Sequence, residues 1–210
     1  VVGTSIIVNE AKNAEVERFI YFQTALCYGL HPEEQPIPID HELRPRESSY
    51  AISKTAGENY LALSGLNWVS FRLANGYGPR NITGPLPTFF QRLNNGSSVF
   101  VMDTRRDFIF IEDLIDVVER AVDGEGEPGP YHVSSGSDVS IEDLLEATLK
   151  AMGIELDDPV EVRPRGEDDA FTILLDPSRT HDQFPGWEAK TPLQDGVDRA
   201  VGYYREFQKW

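Results

Sequence analysis

The sequence predicts an α/β protein built on a mainly parallel sheet, and three observations carry that prediction. Two runs, the apolar RFIYFQTALCYG (18–29) and NWVSFRLAN (67–75), read as buried strands. The segments between and after such runs carry helical spacing, as in SIEDLLEATLKAMG (140–153). The alternation of the two patterns persists to the end of the chain, which is the signature of crossover units rather than hairpins.

In chain order, residues 4–14 read as a helix, with Ile6, Ile7, Ala11 and Ala14 as its apolar positions. The strand 18–29 follows and ends at a turn glycine, Gly29. HPEEQPIPIDHELRPRE is a Pro-rich, charged loop. Ser48 or Ser49 can cap the next helix, which Gly65 closes. After the strand 67–75 comes the loop GYGPRNITGP, then a short helix in PTFFQRLNNG and a short strand in SSVFVM. RDFIFIEDLIDVVERAVDG runs from strand into helix, and GPYHVSSG is another strand. The helix from Ser140 opens with Ser-x-x-Asp, which predicts a capping box between Ser140 and Asp143. VEVRPR is a strand, and TPLQDGVDRAVGYYREF is the last helix.

Composition narrows the function. The net charge of the 210 residues is -16, which argues against nucleic acid or an anionic membrane surface, since both demand a basic face. A small anionic ligand remains compatible, because a few placed arginines dominate a local site. The single cysteine, Cys27, forms no intrachain disulfide, and the four histidines at 31, 41, 132 and 181 lack ligand spacing, so we expect no metal. No apolar run approaches the ~20 residues that span a bilayer. We expect a cytoplasmic protein.

Within SSYAISKTAGENYLALSG (48–65), Tyr50 and Lys54 stand four apart in a helical pattern. They share a face, where an ammonium beside a phenol favours the phenolate and suits Tyr50 to general acid/base work. A plain i,i+4 surface pair would look the same. Thr24 lies at the C-terminal end of the preceding strand, the end at which open parallel sheets bind ligands. Thr24, Tyr50 and Lys54 can therefore converge on one crevice.

The ordered series TALCYG, YAISK, RLANGYGPR, RRDFIFIEDL, RPRGEDD and GWEAKTPLQDGV resembles the extended short-chain dehydrogenase/reductase family, in particular its NAD-dependent nucleotide-sugar epimerases and dehydratases, of the UDP-glucose 4-epimerase kind. The likeness spans the whole chain. It implies that the sheet is the back half of a Rossmann-like doubly wound layer, with a smaller α/β substrate-binding domain beside it. Residues 1–80 and 103–136 would form the partial NAD-binding domain, and 81–102 with 137–210 the nucleotide-sugar domain.

The resemblance also implies roles. Thr24 would bind the sugar hydroxyl being oxidised, Tyr50 would be the acid/base, and Lys54 would hold the nicotinamide ribose. Ala74 and Tyr77 would border the nicotinamide. Asn75 would lie near the substrate phosphates and Arg106 would pair with the diphosphate. Arg165 and Asp168 would hold the nucleotide, although Gly166-Glu167 departs from the family's usual order there. Leu86, Phe100 and Met102 would line the nucleotide pocket. Bland readings exist for several of these: Arg106 could pair with Asp107 or Asp113, and Arg165 and Asp168 could be solvated loop charges. Trp187 reads as a packing anchor, Asp113 as a structural acid in a first helical turn, and Cys27 as a small hydrophobe.

Dehydratases of the family tend to place an acid just after the strand-end Ser/Thr. Here those positions are Ala25 and Leu26, so the resemblance implies epimerisation, at C4 of the sugar, with a nucleotide-sugar ketoreductase using the same residues as the alternative. It also implies a homodimer through the 4–14 helix and the Tyr50 helix. The sequence contains no G-x-G-x-x-G leading from a strand into a helix, since Gly124–Gly129 has that spacing but follows a helical run, so these residues alone are expected to hold NAD poorly and to be inactive without a preceding phosphate-binding unit.

Overall fold

The structure is a computed structural model describing residues 1–46, 48–167 and 169–207. Its elements are α1 (Val2–Asn13), β1 (Phe19–Thr24), α2 (Ser49–Ala62), β2 (Trp68–Leu73), β3 (Asn75–Tyr77), α3 (Pro85–Asn94), β4 (Phe100–Met102), β5 (Arg105–Phe110), α4 (Ile111–Val122), β6 (Gly129–Val133), β7 (Asp138–Ser140), α5 (Ile141–Met152), β8 (Glu161–Arg163), α6 (Ser178–Gln183) and α7 (Leu193–Phe207). The predicted α/β class with parallel strands is the architecture observed.

The first sheet is wholly parallel, in the order β1-β2-β6. The two-residue period sorts β2 between two layers. Val69 and Phe71 enter a core with Ile109, Val117, Ala121, Tyr131, Val133, Phe184 and Trp187 on the α4 side. Ser70 and Arg72 point the other way, where both bond Glu58 of α2. A smaller parallel-antiparallel sheet, β3-β5-β7, and the β4-β8 pair lie against a second core. There Phe108 and Phe110 meet Phe90, Leu144, Val201 and Tyr204 of α3, α5 and α7. β5 is the shared wall: Ile109 faces the first core, while Phe108 and Phe110 face the second.

Several expected boundaries move, each for a local reason. The strand from residue 18 stops at Thr24, because the Thr24 hydroxyl accepts from the Leu26 amide and turns Ala25–Tyr28 into a 3₁₀ segment. The run 67–75 divides, since Asn75–Tyr77 leaves β2's sheet to pair with β5. Ser48, not Ser49, caps α2, accepting from the Ala51 amide at 3.3 Å. The helix ends at Ala62, with Leu63 as its cap, before Gly65 (φ +77°) redirects the chain. In α1 the buried face is Val8 and Ala11, with Val8 in a cluster with Tyr21 of β1 and Leu61 of α2, whereas Ile6, Ile7 and Ala14 are exposed on the other side. β7 and α6 carry no apolar periodicity and were not foreseen. The capping box at Ser140–Asp143 forms in full.

Three smaller expectations also have structural counterparts. Trp187 is 1% exposed and donates its Nε1–H to the Asp113 carbonyl at 2.8 Å. Asp113 is buried and accepts from the Thr191 amide. Cys27 is fully buried, and burial pushes its thiol up to about 12.

Candidate active site

The candidate site grows from the C-terminal ends of β1 and β2. Thr24 ends β1 and lines a cavity of about 260 Å³ with Ala25, Leu26, Leu73, Ala74 and Asn75. Its floor is closed by Arg106 and Asp169. A larger cavity, about 470 Å³, begins on the same Ala74–Asn75 turn and runs past Tyr77, Leu86, Met102 and Thr104. Arg106 and Asp169 line this second cavity too. The two spaces therefore adjoin as one cleft, divided along Ala74, Asn75, Arg106 and Asp169, which line both.

Arg106 does not pair with Asp107 or Asp113. Its Nη2 meets Asp169 Oδ1 at 2.6 Å, and its Nη1 donates to the carbonyls of Arg105 and Ala170. Asp107 turns inward instead, accepting from both the amide and the hydroxyl of Ser135 and from the Leu175 amide. Burial pushes its carboxyl up to about 6. Asn75 is exposed and anchored by donating Nδ2–H to the Asp107 carbonyl at 3.2 Å.

Tyr50 and Lys54 sit on α2, outside the linings of both cavities. The Tyr50 side chain is 53% exposed. Helix α2 approaches β1 closely because Gly57 has no Cβ: one there would meet the Tyr21 hydroxyl at 2.5 Å. That hydroxyl donates to the Lys54 carbonyl, and the Lys54 ammonium lies over the Tyr21 ring at 4.6 Å. Burial lowers the Lys54 pKa. Among the described residues no carboxylate pairs with this ammonium, so its N–H donors stay available to hydroxyl-bearing ligands. A ribose diol fits that environment. The chain's own residues thus suit the nicotinamide-ribose end of a dinucleotide.

One turn beyond Lys54, Glu58 locks α2 to the sheet. Glu58 Oε1 meets Arg72 Nη2 at 2.6 Å, and both side chains are almost fully buried. Arg72 Nη1 donates to the Tyr28 hydroxyl at 2.7 Å, which lies 2.6 Å from His132 Nε2. His132 Nδ1 is 2.9 Å from the Asp176 carbonyl, so Nδ1 carries the proton and Nε2 accepts from Tyr28. Burial holds the imidazole neutral, down to about 4.

Of the remaining expected residues, Phe100 lies beneath Arg163, whose guanidinium is 3.7 Å from the ring centroid. Phe100 does not line either cavity. Arg165 is exposed and donates to the Asp169 carbonyl at 2.7 Å. Asp168 lies outside the described residues. Sequence reasoning missed Asn81, Thr83, Thr104 and Asp169 in the larger cavity. In the acidic run Glu167-Asp168-Asp169 nothing in the sequence distinguishes the carboxylate that turns inward. Among the described residues, no cluster of three His, Cys, Asp or Glu could hold a metal ion, and no helix is long and apolar enough to cross a membrane.

Comparison with known proteins supplies the family. Residues 1–134 match the NAD dependent epimerase/dehydratase family. The chain superposes on the Bordetella bronchiseptica enzyme WbmH, solved in complex with NAD+, with a TM-score of 0.93 and 53% identity over 99% of this chain and 69% of that one. WbmG of the same organism, solved with NAD and UDP, gives 0.94 and 40% over 99% and 66%. A UDP-glucose 4-epimerase of Mycolicibacterium smegmatis is 30% identical over 98% of this chain and 68% of its own length. The chain spans about two thirds of the length of these relatives. With a parallel α/β fold and a strand-end cleft, the chain belongs to the NAD-dependent epimerase/dehydratase family of extended short-chain dehydrogenases/reductases.

Proposed function

We propose that the protein is an NAD-dependent nucleotide-sugar epimerase that inverts C4 through a transient keto sugar. The observation that carries this reading is the divided cleft. Its larger part suits a nucleotide, Arg106 at the division suits a diphosphate, and the smaller part holds Thr24 for the sugar. A relative solved with NAD and UDP supports the ligand class.

In this reading Tyr50 takes the C4 hydroxyl proton as phenolate and returns it after inversion, while Thr24 orients that hydroxyl. The Lys54 ammonium favours the phenolate and holds the ribose diol. Ala74 and Tyr77 border the cofactor, and Asn75, Leu86, Met102 and Arg106 border the substrate, with Arg165 on its nucleotide side. Lys54, Ala74 and Tyr77 would hold the nicotinamide end of a bound NAD, which would supply reversible hydride acceptance at C4. Residues 1–80 and 103–136 serve the cofactor, and 81–102 and 137–210 the substrate. Protomers pair through α1 and α2, which expose Ile6, Ile7, Ile52 and Tyr60.

Epimerisation is preferred to elimination because the Thr24 cavity offers no free acid. Ala25 and Leu26 follow Thr24, and the one carboxylate of the cavity among the described residues, Asp169, is paired with Arg106. The test is to incubate the full-length protein with UDP-, GDP-, dTDP- and CDP-sugars without added reductant and to follow products by NMR. A C4 epimer formed with no net NADH, and lost by about 10²–10⁴ in Tyr50→Phe, supports the reading. A 4-keto-6-deoxy product, or turnover only with added NADPH or NADH, refutes it.

A further inference from the structure

The division of the cleft is itself an ion pair, and its two halves are held differently. Arg106 is the fixed half: its side chain is 18% exposed, and its Nη1 is bonded to the carbonyls of Arg105 and Ala170. Carbonyls orient a guanidinium but leave its charge uncompensated. Among the described residues, Asp169 supplies the one neutralising contact, Oδ1 to Nη2 at 2.6 Å. Asp169 is the looser half, 44% exposed, on the irregular stretch between β8 and α6.

We propose that Asp169 is an internal counter-anion that occupies, on Arg106, the place a ligand's diphosphate takes, so that binding exchanges one anion for another. The inference rests on the nucleotide-sugar reading of the cleft. Arg106 Nη2, unlike Nη1, is not spent on carbonyls, and Asp169, which lies on it, lines both cavities. An incoming diphosphate carries more negative charge than one carboxylate and can present two oxygens to the guanidinium. A neutral nucleoside cannot make that exchange, so Asp169 selects for anionic ligands. Arg165 is tied to the Asp169 carbonyl at 2.7 Å.

Calorimetric titration of the full-length protein with UDP and with uridine, for wild type and Asp169→Asn, tests this. The amide keeps the size of the side chain and removes its charge. Asp169→Asn is expected to bind UDP about two- to fivefold tighter, the range for releasing a half-exposed ion pair. Uridine affinity should not change, and the UDP advantage should shrink as salt rises from about 50 to 300 mM. Asp169→Ser should show the same gain. If wild type binds UDP and neither variant binds it more tightly, Asp169 merely positions Arg106 and the inference falls while the reading of the cleft stands. An equal gain for uridine also overturns it. If UDP binds none of the proteins, the nucleotide-sugar reading falls and takes the inference with it.

Discussion

Replacing Arg72 with methionine tests how helix α2, with Tyr50 and Lys54 on it, is fixed to the sheet. The guanidinium gives up its 2.6 Å contact to Glu58, its 2.7 Å bond to Tyr28 and its 3.0 Å bond to the Ile39 carbonyl. Burial works against this charge, yet Glu58 and Tyr28 hold the Arg72 pKa above its ordinary value. The Glu58 carboxylate, 4% exposed, is left with only the Ser70 hydroxyl. An unpaired buried charge of this kind costs about 3–5 kcal/mol. Urea unfolding of the full-length protein, followed by tryptophan fluorescence and far-ultraviolet circular dichroism, should show a loss of that size. The double variant Glu58→Leu/Arg72→Met should recover about 2 kcal/mol or more of it, because the carboxylate is no longer stranded. A loss below about 1 kcal/mol for Arg72→Met, or strict additivity in the double variant, would refute the reasoning.

Other expectations concern packing and pH. Trp187→Ala, which empties a fully buried site and frees the Asp113 carbonyl, should cost about 3–5 kcal/mol by the same unfolding assay. Gly196→Ala drives a methyl into the Tyr77 ring and Phe110; it should destabilise by about 1–3 kcal/mol and weaken UDP binding, since Tyr77 lines the larger cavity. His132 is held down to about 4 from an ordinary 6.5. Between those values the unfolded chain binds the extra proton, so this group's contribution is lost as pH falls through the window. Asp107, pushed up to about 6 from 3.8, acts oppositely: the folded state binds the extra proton, so its contribution falls as pH rises through 3.8–6. The two slopes offset in the wild type. Stability measured from pH 4 to 6.5 should therefore fall with rising pH in His132→Gln and rise with pH in Asp107→Asn. Parallel profiles in the two variants would contradict these assignments.

Much of the fold was legible because its signals are local. Apolar-rich runs mark β1 and β2, a Ser-x-x-Asp pair marks the start of α5, and RDFIFIEDL marks the passage from β5 into α4. Boundaries were less legible where a single side chain decides them, as the Thr24 hydroxyl does when it ends β1. Ile6 and Ile7 misled, since periodicity records apolar positions and not which of them finds a neighbour. At the site, the turn carrying Ala74, Asn75 and Tyr77 was readable from its motif, and so was Arg106. The partner of Arg106 was not: Asp169 lies 63 residues away and meets it only through tertiary folding. Tyr50 and Lys54 were readable as a pair, but the role of Gly57 in seating their helix on Tyr21 emerges only from the packed structure.

The central claim is that one carbon of the bound sugar loses and regains its own hydride while Tyr50 moves the proton. Supplying the full-length protein with a nucleotide sugar deuterated at C4 and following the product by NMR tests it most directly. The account predicts a C4-inverted product that keeps its deuterium in ordinary water, and no such product from Tyr50→Phe. Deuterium lost to solvent, or an unchanged yield from Tyr50→Phe, would contradict it.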